Sequence, residues 1–321
     1  TEALRNTKLP DRLIVIGGGY IACEIGGAYQ SFGCDTHFLV RSELLRTADA
    51  DIRQEFQAQF HKRHHVHQGY LPMRVDYRGN LFHVSARHTE TFDVLELKAD
   101  ALLIATGSRY KRLNVPGETD YLGAGVHFCA TCDGPFYKDK QVTVIGGGNS
   151  ATEESLLLTK FAAQVSILVR KGNFNATAVI QEKVLSHPKI DVRWFTEVKE
   201  FIGKDSKLIQ LRIFNKQTGA EENLQMDGAF IFIGLVPNTG FIEDSHILLD
   251  RWGFIVTGHA LVHGDHRPTG FEERDPLLLE TSVPGIFAAG DVRDTSTKQV
   301  VRAAGEGSTA ALMVREYLKS V

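Results

Sequence analysis

Short apolar runs in this chain are followed by glycine-rich turns and then by segments with helical spacing of apolar residues. The first run, Leu-Ile-Val-Ile at 13–16, precedes three glycines. An apolar run without alternation is typical of a strand buried on both faces of a parallel sheet. The pattern predicts a strand at 13–16, a helix over 20–32 that Gly33 caps, and a strand over 36–40. These elements form a βαβ unit.

The next residues predict one helix and three extended segments. A helix is expected over 49–62, because Ile52, Phe56 and Phe60 fall four apart on one face. Extended segments are expected at 81–87, 91–97 and 101–105.

The second half of the chain repeats this order. Strands are predicted at 142–145 and 165–169 around a helix that runs through 162, followed by strands at 208–215 and 229–233. Gly146 follows Gly17 by 129 positions, and Arg170 follows Arg41 by the same interval. Such constant spacing predicts two homologous nucleotide-binding folds.

A third segment has no βαβ unit of its own. It contains a predicted strand at 285–291 and a closing helix over 299–318. We expect it to pack onto one of the other two folds.

The two glycine turns are candidate dinucleotide sites. Glycines let a pyrophosphate approach the backbone, and the helix N-terminus offers unpaired N–H groups. Glycines that serve only packing are the alternative. The candidate binding residues are Gly17, Gly19 and Ala22 in the first turn and Gly146, Gly148, Asn149, Ser150 and Ala151 in the second.

Basic residues stand where each second strand ends. An acid there accepts hydrogen bonds from free ribose hydroxyls, whereas a base favours a 2′-phosphate. Arg41 follows the first copy, and Arg170 and Lys171 follow the second. NADPH is therefore favoured over NADH at the second turn, unless these bases are only solvated strand ends.

The segment Cys129-Ala130-Thr131-Cys132-Asp133-Gly134 is the candidate redox centre. Two thiols at this spacing can close a small disulfide ring, and Asp133 can supply or remove the proton that exchange requires. Half of a zinc site is the alternative, but the chain has no second such motif and only His127 lies nearby. Between two nucleotide-binding folds, the motif is typical of a disulfide reductase.

The remaining cysteines and a histidine cluster have simpler interpretations. Cys23 and Cys34 lie inside the first βαβ unit, where small buried residues suffice. Four histidines could hold a metal ion but are interpreted as a solvated surface, so no metal site is predicted; they are His61, His64, His65 and His67.

Composition limits the partners of the chain. Its 321 residues allow about two domains. A net charge of −3 gives no reason to expect nucleic acid or an anionic membrane. Residues 1–11 lack the apolar core of a secretion signal, and four cysteines are too few for a disulfide scaffold. A cytoplasmic location is expected.

From about residue 99 onward the chain resembles the low-molecular-weight thioredoxin reductases. The matching segments comprise the cysteine motif, the second glycine turn and a set of shorter motifs, which are Ala-Thr-Gly-Ser at 105–108, Val-Pro-Gly-Glu at 115–118, Pro-Asn-Thr at 237–239, Gly-Ile-Phe-Ala-Ala-Gly-Asp at 285–291, Gln299 and Ala-Ala-Gly at 303–305.

The resemblance implies an α/β fold with two Rossmann-like three-layer nucleotide-binding domains, the second inserted in the first. An FAD domain would comprise 1–115 and 244–321, and an NADPH domain with the dithiol would comprise 116–243. Hinges near 113–118 and 240–245 would permit domain rotation. A homodimer acting on thioredoxin or a thioredoxin-like disulfide is also implied.

The resemblance assigns roles to individual residues. Asp291 would hold the ribityl or pyrophosphate region of FAD, and Gln299 and Val300 would lie near the flavin ring. Cys132 would face the flavin, and Asp133 would be the acid-base catalyst. The other FAD contacts implied by the matching motifs are Ala105, Thr106, Gly107 and Gly290.

The chain departs from this family in three segments. Residues 8–60 look more like the NADPH half of glutathione and mycothione reductases, with Tyr-Ile-Ala at 20–22 where the family has Pro-Ala-Gly. The basic residues with which the family binds the 2′-phosphate are fewer here. Arg170 is kept, Lys171 stands in place of a second arginine, and Asn175 stands in place of a further arginine. The loop at 259–279 is longer and more charged, and no function is assigned to it.

The predicted function is electron transfer from NADPH through FAD and the Cys129–Cys132 dithiol to a protein disulfide. Two alternatives remain open from the sequence. One is a similar enzyme fed by another donor such as ferredoxin, which the altered phosphate grip motivates. The other is a non-enzymatic redox sensor.

Overall fold

The chain forms two compact units in the computed structural model, which describes residues 10–46, 48–262 and 267–318. Tyr110–Leu235 form the inserted unit, and the segments on either side of it, Thr1–Arg109 and Val236–Val321, together form the split unit. The domain boundaries predicted from sequence lie nearby, at 115/116 and 243/244. Residues 1–11 were expected to lack a secretion signal, and 1–9 of them lie outside the described part.

The helices and strands follow the chain in this order. The first part of the split unit contains β1 (Arg12–Ile16), α1 (Tyr20–Ser31), β2 (Asp35–Val40), α2 (Ala50–Arg63), β3 (His65–Gln68), β4 (Tyr70–Arg78), β5 (Leu81–His88), β6 (Val94–Ala99), β7 (Ala101–Ile104) and β8 (Ser108–Tyr110). The inserted unit contains β9 (Val126–His127), α3 (Ala130–Asp133), β10 (Gln141–Ile145), α4 (Asn149–Leu158), β11 (Gln164–Val169), α5 (Ala178–Leu185), β12 (Ile190–Trp194), β13 (Thr196–Lys204), β14 (Lys207–Asn215), β15 (Glu221–Gln225) and β16 (Gly228–Ile231). The chain then continues through β17 (Leu235–Pro237), β18 (Ile286–Ala288) and α6 (Val300–Leu318).

The split unit is built on a five-stranded parallel sheet in the order β18-β7-β1-β2-β3. The third segment of the chain therefore adds its strand β18 beside β7, as its lack of a βαβ unit required. Strands β4, β5 and β6 form a separate antiparallel sheet.

Alternate residues of the parallel strands pack on opposite faces, because successive side chains of a strand point to opposite sides. Leu13 and Val15 belong to the core that contains α1 and α6 residues such as Tyr29 and Val314. Ile14 lies in the other core, which includes Phe82 of β5. The split unit thus has three layers: helices, parallel sheet and antiparallel sheet.

The inserted unit repeats this plan. Its parallel sheet has the order β12-β11-β10-β16-β9, and β13, β14 and β15 form the antiparallel sheet. Val144 and Ile167 pack in the core that includes Leu158 of α4, whereas Ile145 packs in the core that includes Phe201 of β13. The predicted α/β class with two Rossmann-like three-layer folds is confirmed.

Three details differ from the predictions. Ile52 is 65% exposed, so the core side of α2 is provided by Phe60 and the half-buried Phe56. Helix α4 ends at Leu158 rather than at 162. The segment 285–291 is a strand only over Ile286–Ala288, because Gly290 adopts a φ of 78° and begins a 3-10 turn.

Candidate functional site

The first glycine turn connects β1 to α1 in a conformation that requires glycine at its first position. Gly17 has a φ of 141°, and a Cβ atom there would lie 2.4 Å from the carbonyl oxygen of Ala105. At Gly19 a Cβ would meet nothing within 4 Å, so the space in front of the α1 N-terminus is open. Ala22 is completely buried beneath the turn. The backbone can therefore approach a pyrophosphate group.

The second glycine turn has the same geometry. Gly146 has a φ of 146°, and its Cβ would lie 2.3 Å from the carbonyl oxygen of Phe232. Gly148 would meet only a carbonyl oxygen, at 3.9 Å, and Ala151 is completely buried. The two residues between them, Asn149 and Ser150, are exposed in the first turn of α4.

Asn149 also fixes the loop that follows β11. Its Oδ1 accepts a hydrogen bond of 2.9 Å from the backbone N–H of Thr177. The backbone N–H of Asn175 in turn donates to the carbonyl oxygen of Gly147 at 2.7 Å. These bonds hold the loop after Arg170 and Lys171 beside the second glycine turn.

The basic residues at the two strand ends are exposed. Arg41 follows β2, and Arg170 and Lys171 follow β11. None of the three forms an ion pair with another residue in the described part of the chain. Their charges are available to an anionic group such as a 2′-phosphate.

The other predicted flavin contacts lie where neighbouring parallel strands of the split unit end. The Ala105 N–H donates to the Ile16 carbonyl oxygen at 3.0 Å, and the Ala289 N–H donates to the Ile104 carbonyl oxygen at 3.1 Å. The ends of β1, β7 and β18 are thereby joined side by side. This edge is where open α/β sheets bind their ligands.

A pair of side-chain hydrogen bonds connects two of the matching motifs. The Thr106 hydroxyl donates to the Asn238 carbonyl oxygen at 2.9 Å, and the Asn238 side-chain amide donates to the Thr106 carbonyl oxygen at 2.8 Å. The Asn238 N–H donates to the carbonyl oxygen of Gly107, whose φ is 68°. Asn238 belongs to the matching Pro-Asn-Thr motif at 237–239, from which no role could be predicted for it.

Asp291 has an unused hydrogen-bond acceptor. Its Oδ1 is buried and has no hydrogen-bond partner among the described residues. Burial raises the pKa of this carboxyl group, although Lys298 opposes the shift. A buried acceptor without a partner is costly, so this atom is suited to a ligand hydroxyl.

Glu306 supports the Asp291 turn from α6. It accepts a 2.8 Å hydrogen bond from the Gly290 N–H and another of 2.8 Å from Arg302 Nε. Arg293 lies within 2.8 Å of the same carboxylate, and both side chains of this ion pair are 5% exposed. No sequence motif assigned a role to Arg293 or Glu306.

Gln299 and Val300 lie at the start of α6 and are exposed. Gln299 lines a cavity of about 630 Å³ together with Arg293 and Glu306. Lys298, the residue before Gln299, donates to the Asp291 carbonyl oxygen at 2.8 Å. Burial lowers the pKa of Lys298 to about 8.

The cysteine motif forms the short helix α3 and a following 3-10 turn. Cys129 and Cys132 are joined by a disulfide, with their Cα atoms 5.3 Å apart. Ala130 is completely buried in the core, and a Cβ at Gly134 would lie 3.2 Å from Leu158. These contacts explain the small residues of the motif. Cys132 is exposed, whereas Asp133 is half-buried.

His127 contacts Asp133 and Tyr137. Its Nδ1 lies 3.4 Å from Asp133 Oδ2, and its Nε2 lies 2.7 Å from the Tyr137 hydroxyl oxygen. From the sequence, His127 is only a possible metal ligand. Its burial depends on β9 pairing with β16, which places Phe230 beside it and which local sequence does not reveal.

Cys23 and Cys34 are buried, and the histidines of the predicted cluster differ in their surroundings. Burial raises the pKa of Cys23 to about 12 and that of Cys34 to about 11. His64 packs against Phe60 with ring centroids 3.9 Å apart, and His67 lies 2.8 Å from His37. His61 and His65 are exposed.

The described residues contain neither a metal-binding cluster nor a membrane-spanning helix. Across 10–46, 48–262 and 267–318, no group of three or more potential ligands is arranged to hold a metal ion. No helix in the same ranges is both long and apolar enough to span a membrane.

The loop at 259–279 is anchored by an ion pair, although residues 263–266 lie outside the described part. Arg274 donates two hydrogen bonds, of 2.7 and 2.8 Å, to the carboxylate of Glu280, which is completely buried. This pairing accounts for one charge of the segment, Arg274, since Glu280 lies just beyond it, and it gives the segment no catalytic role.

Family models and individual proteins that are similar to the chain point to the same family. Residues 73–307 match a family model described as pyridine nucleotide-disulphide oxidoreductase, and residues 12–84 match a second model with the same description. The thioredoxin reductase of Bacillus subtilis is 38% identical over 226 residues, which are 70% of this chain and 66% of that protein. The chain thus matches just under two thirds of that relative's own length.

Solved structures resemble the chain over a longer range. The thioredoxin reductase from Streptococcus pyogenes is 28% identical with a TM-score of 0.77, covering 98% of this chain and 99% of the other. The one from Giardia duodenalis is 27% identical with a TM-score of 0.80, covering 96% and 98%. The resemblance to thioredoxin reductases is confirmed, and the family implies flavin and nicotinamide cofactors. The chain belongs to the pyridine nucleotide-disulphide oxidoreductase family.

Proposed function

We propose that this protein is a thioredoxin reductase-type flavoenzyme. It passes electrons from NADPH through FAD and the Cys129–Cys132 pair to the disulfide of thioredoxin or a thioredoxin-like protein. The observation that carries the proposal is the Cys129–Cys132 disulfide, followed directly by Asp133, in the same unit as a glycine turn of the dinucleotide-binding type.

The residues of the split unit fit FAD. The open space at Gly19 admits a pyrophosphate, and the unpartnered Oδ1 of Asp291 suits a hydroxyl of the ribityl chain. FAD would supply a carrier for two electrons. The residues proposed to hold it are Gly17, Gly19, Ala22, Ala105, Thr106, Gly107, Gly290, Asp291, Gln299 and Val300.

The residues of the inserted unit fit NADPH. Gly148 leaves room for the pyrophosphate, and the exposed Arg170 and Lys171 can neutralise a 2′-phosphate. Nicotinamide would supply the electron pair. The residues proposed to hold this cofactor are Gly146, Gly148, Asn149, Ser150, Ala151, Arg170 and Lys171.

The cysteine pair would perform the exchange with the substrate. In the overall reaction one NADPH and one proton convert one protein disulfide into two thiols. Cys129 and Cys132 receive the two electrons as their S–S bond opens, and a thiolate of the pair then attacks the substrate disulfide. Asp133 is proposed to move the protons.

The proposal extends to organisation and location. The FAD domain would comprise 1–115 and 244–321, with the NADPH domain at 116–243 and rotation at the two connections. The enzyme would be a cytoplasmic homodimer without nucleic acid or membrane partners.

Anaerobic stopped-flow mixing of the purified flavoprotein with NADPH tests the donor. Rapid bleaching of the flavin by NADPH, and slower bleaching by NADH, is expected. If NADPH leaves the flavin oxidised while chemically reduced enzyme still reduces thioredoxin, the donor is another protein such as ferredoxin. If the reduced enzyme reduces no thioredoxin, the redox-sensor alternative replaces the proposal.

The Cys132→Ser variant tests the route. It should still be bleached by NADPH but should lose thioredoxin reduction, because no internal disulfide can form. Cys34→Ser is the control, since Cys34 is buried outside the motif and should leave both rates unchanged. Thioredoxin reduction by Cys132→Ser at the wild-type rate would refute the route.

A further inference from the structure

His127 is a buried imidazole that contacts the proton-transfer residue of the dithiol centre. Only 8% of its side chain is exposed, and Asp133 is 30% exposed. The ring of Phe230 covers it, with centroids 5.3 Å apart, and the ring of Tyr137 lies edge-on at 5.4 Å. The imidazole therefore has a fixed orientation between two polar partners.

The hydrogen bonds indicate which nitrogen of His127 carries the proton. Burial raises the pKa of Tyr137 to about 12, so its hydroxyl keeps its proton and donates to His127 Nε2 at 2.7 Å. Burial also lowers the pKa of His127, although Asp133 opposes the shift. The neutral imidazole then carries its proton on Nδ1, which faces Asp133 Oδ2 at 3.4 Å.

We propose that His127 is a positioning residue for Asp133, and that its Nδ1–H orients the carboxyl group for proton transfer to and from the exchanging sulfurs. This inference rests on the proposed function, because it assigns Asp133 a part in dithiol exchange. It goes further by naming the group through which Asp133 is held.

The exchange can be written with its protons balanced. One cysteine thiolate attacks the substrate disulfide, a mixed disulfide forms, and the departing substrate sulfur takes a proton from protonated Asp133. The carboxylate then removes the proton from the other cysteine thiol. That sulfur closes the Cys129–Cys132 bond, and the second substrate sulfur leaves and receives the proton from Asp133.

These proton transfers predict that the effect of His127 on the exchange rate depends on which thiolate leaves the substrate disulfide. A basic thiolate such as 2-mercaptoethanol's must be protonated as it departs, whereas thionitrobenzoate is a stable anion that needs no proton. Loss of the orientation of Asp133 should therefore slow the first thiol release from bis(2-hydroxyethyl) disulfide but not the first thionitrobenzoate release from dithiobis(nitrobenzoate), because this release precedes deprotonation of the second cysteine; the first release is the rate compared. A general structural defect would slow both reactions alike.

The experiment uses holoprotein whose dithiol has been reduced with dithiothreitol and freed from reagent without oxygen. Rates of exchange with both disulfides are measured for wild type, His127→Asn and His127→Leu. The amide nitrogen of asparagine reproduces the donor at Nδ1, while leucine has none. His127→Leu should react at least about 10-fold more slowly with the hydroxyethyl disulfide, and His127→Asn should stay within about 3-fold of wild type.

A double-mutant cycle with Asp133→Asn completes the test. If His127 acts through Asp133, His127→Leu should cause no further loss in the Asp133→Asn background. Equal slowing with both disulfides, no slowing with either, or an undiminished loss in the Asp133→Asn background would overturn the proposal.

The test is independent of the electron donor, since no NADPH is used. Wild-type exchange without flavin bleaching by NADPH would refute NADPH as the donor in the proposed function and leave the role of His127 standing.

Discussion

The carboxylate of Glu306 and the guanidinium of Arg293 lie 2.8 Å apart, and only 5% of each side chain is exposed. Arg302 contacts the same carboxylate at 2.8 Å, but its side chain is 51% exposed. A buried ion pair whose partner is removed leaves an uncompensated charge, whereas an exposed pair is weak. The three residues therefore differ sharply in their expected contributions to stability.

Glu306→Ala should lower the free energy of unfolding by about 3–5 kcal/mol, because Arg293 remains buried without its partner. Urea unfolding followed by circular dichroism measures the loss. Arg302→Ala is the matched control and should cost less than about 1 kcal/mol. Similar decreases in the free energy of unfolding of the two variants would show that the burial of Arg293 does not determine the cost of removing Glu306.

Glu306 should also make folding sensitive to acid. Burial alone would raise its pKa, but hydrogen bonds from Arg302 and Arg293 hold the pKa below its ordinary value. Its stabilisation is then fully present above the unfolded pKa, about 4.3, and is lost as pH falls through the lower folded value. Glu306→Gln should flatten this acid dependence in unfolding curves; an unchanged slope would contradict the assignment.

Asp291→Asn should separate stability from flavin binding. Burial raises the pKa of Asp291, so the stability of the flavin-free protein declines as pH rises from about 3.9, the unfolded pKa, through the higher folded value. The variant removes the charge and should unfold at a higher temperature than wild type at pH 7 without flavin. Its Kd for FAD should rise at least about 10-fold, since the charged carboxylate acceptor for a ligand hydroxyl is replaced by a neutral amide.

Fluorescence titration of the flavin-free proteins with FAD measures the affinity in that prediction, and calorimetry measures the unfolding temperature. A variant that binds FAD as wild type does would exclude Asp291 from the flavin site.

Gly17→Ala should lower the stability of the protein, whereas Gly19→Ala should lower its affinity for FAD. A Cβ at Gly17 meets the Ala105 carbonyl oxygen at 2.4 Å in a backbone conformation that alone costs alanine about 1–3 kcal/mol, so this variant should lose stability. A Cβ at Gly19 meets no protein atom within 4 Å, so stability should change by less than about 1 kcal/mol. FAD affinity should fall in Gly19→Ala, and unaltered affinity would place the pyrophosphate elsewhere.

Arg170→Ala should reduce the preference for NADPH over NADH. A charge-assisted contact to a 2′-phosphate is lost, so KM for NADPH should rise about 10- to 100-fold while KM for NADH stays unchanged. Lys160→Ala removes an exposed cation at the end of α4 and serves as the control. Equal effects of Arg170→Ala on both nucleotides would indicate that the 2′-phosphate is not bound there.

The repeated βαβ units could be predicted from sequence because their signals are local. An apolar strand, a glycine turn and a helix are contiguous in the chain, so β1, α1 and β10 appear close to their predicted bounds. The same locality explains why the Cys129–Cys132 disulfide could be predicted, since the two cysteines are three residues apart in the chain.

Contacts between distant segments could not be predicted in this way. Glu306 reaches Arg293 and Gly290 only after α6 packs beside the Asp291 turn. The ring that covers His127 belongs to Phe230 of β16, a strand about 100 positions later in the chain. The exposed Ile52 shows a further limit, since helical spacing of apolar residues does not reveal which of them reaches the core.

Because Cys23 and Cys34 are buried, thiol labelling of the unmodified chain can report the redox state of the Cys129–Cys132 pair. With their raised pKa values these two thiols are poor targets for iodoacetamide at neutral pH, whereas an opened Cys129–Cys132 bond exposes reactive sulfur. Each reduced molecule should gain two labels and each oxidised molecule none. Intact-mass spectra taken across glutathione buffers would thus give the midpoint potential of the dithiol without any engineered cysteine.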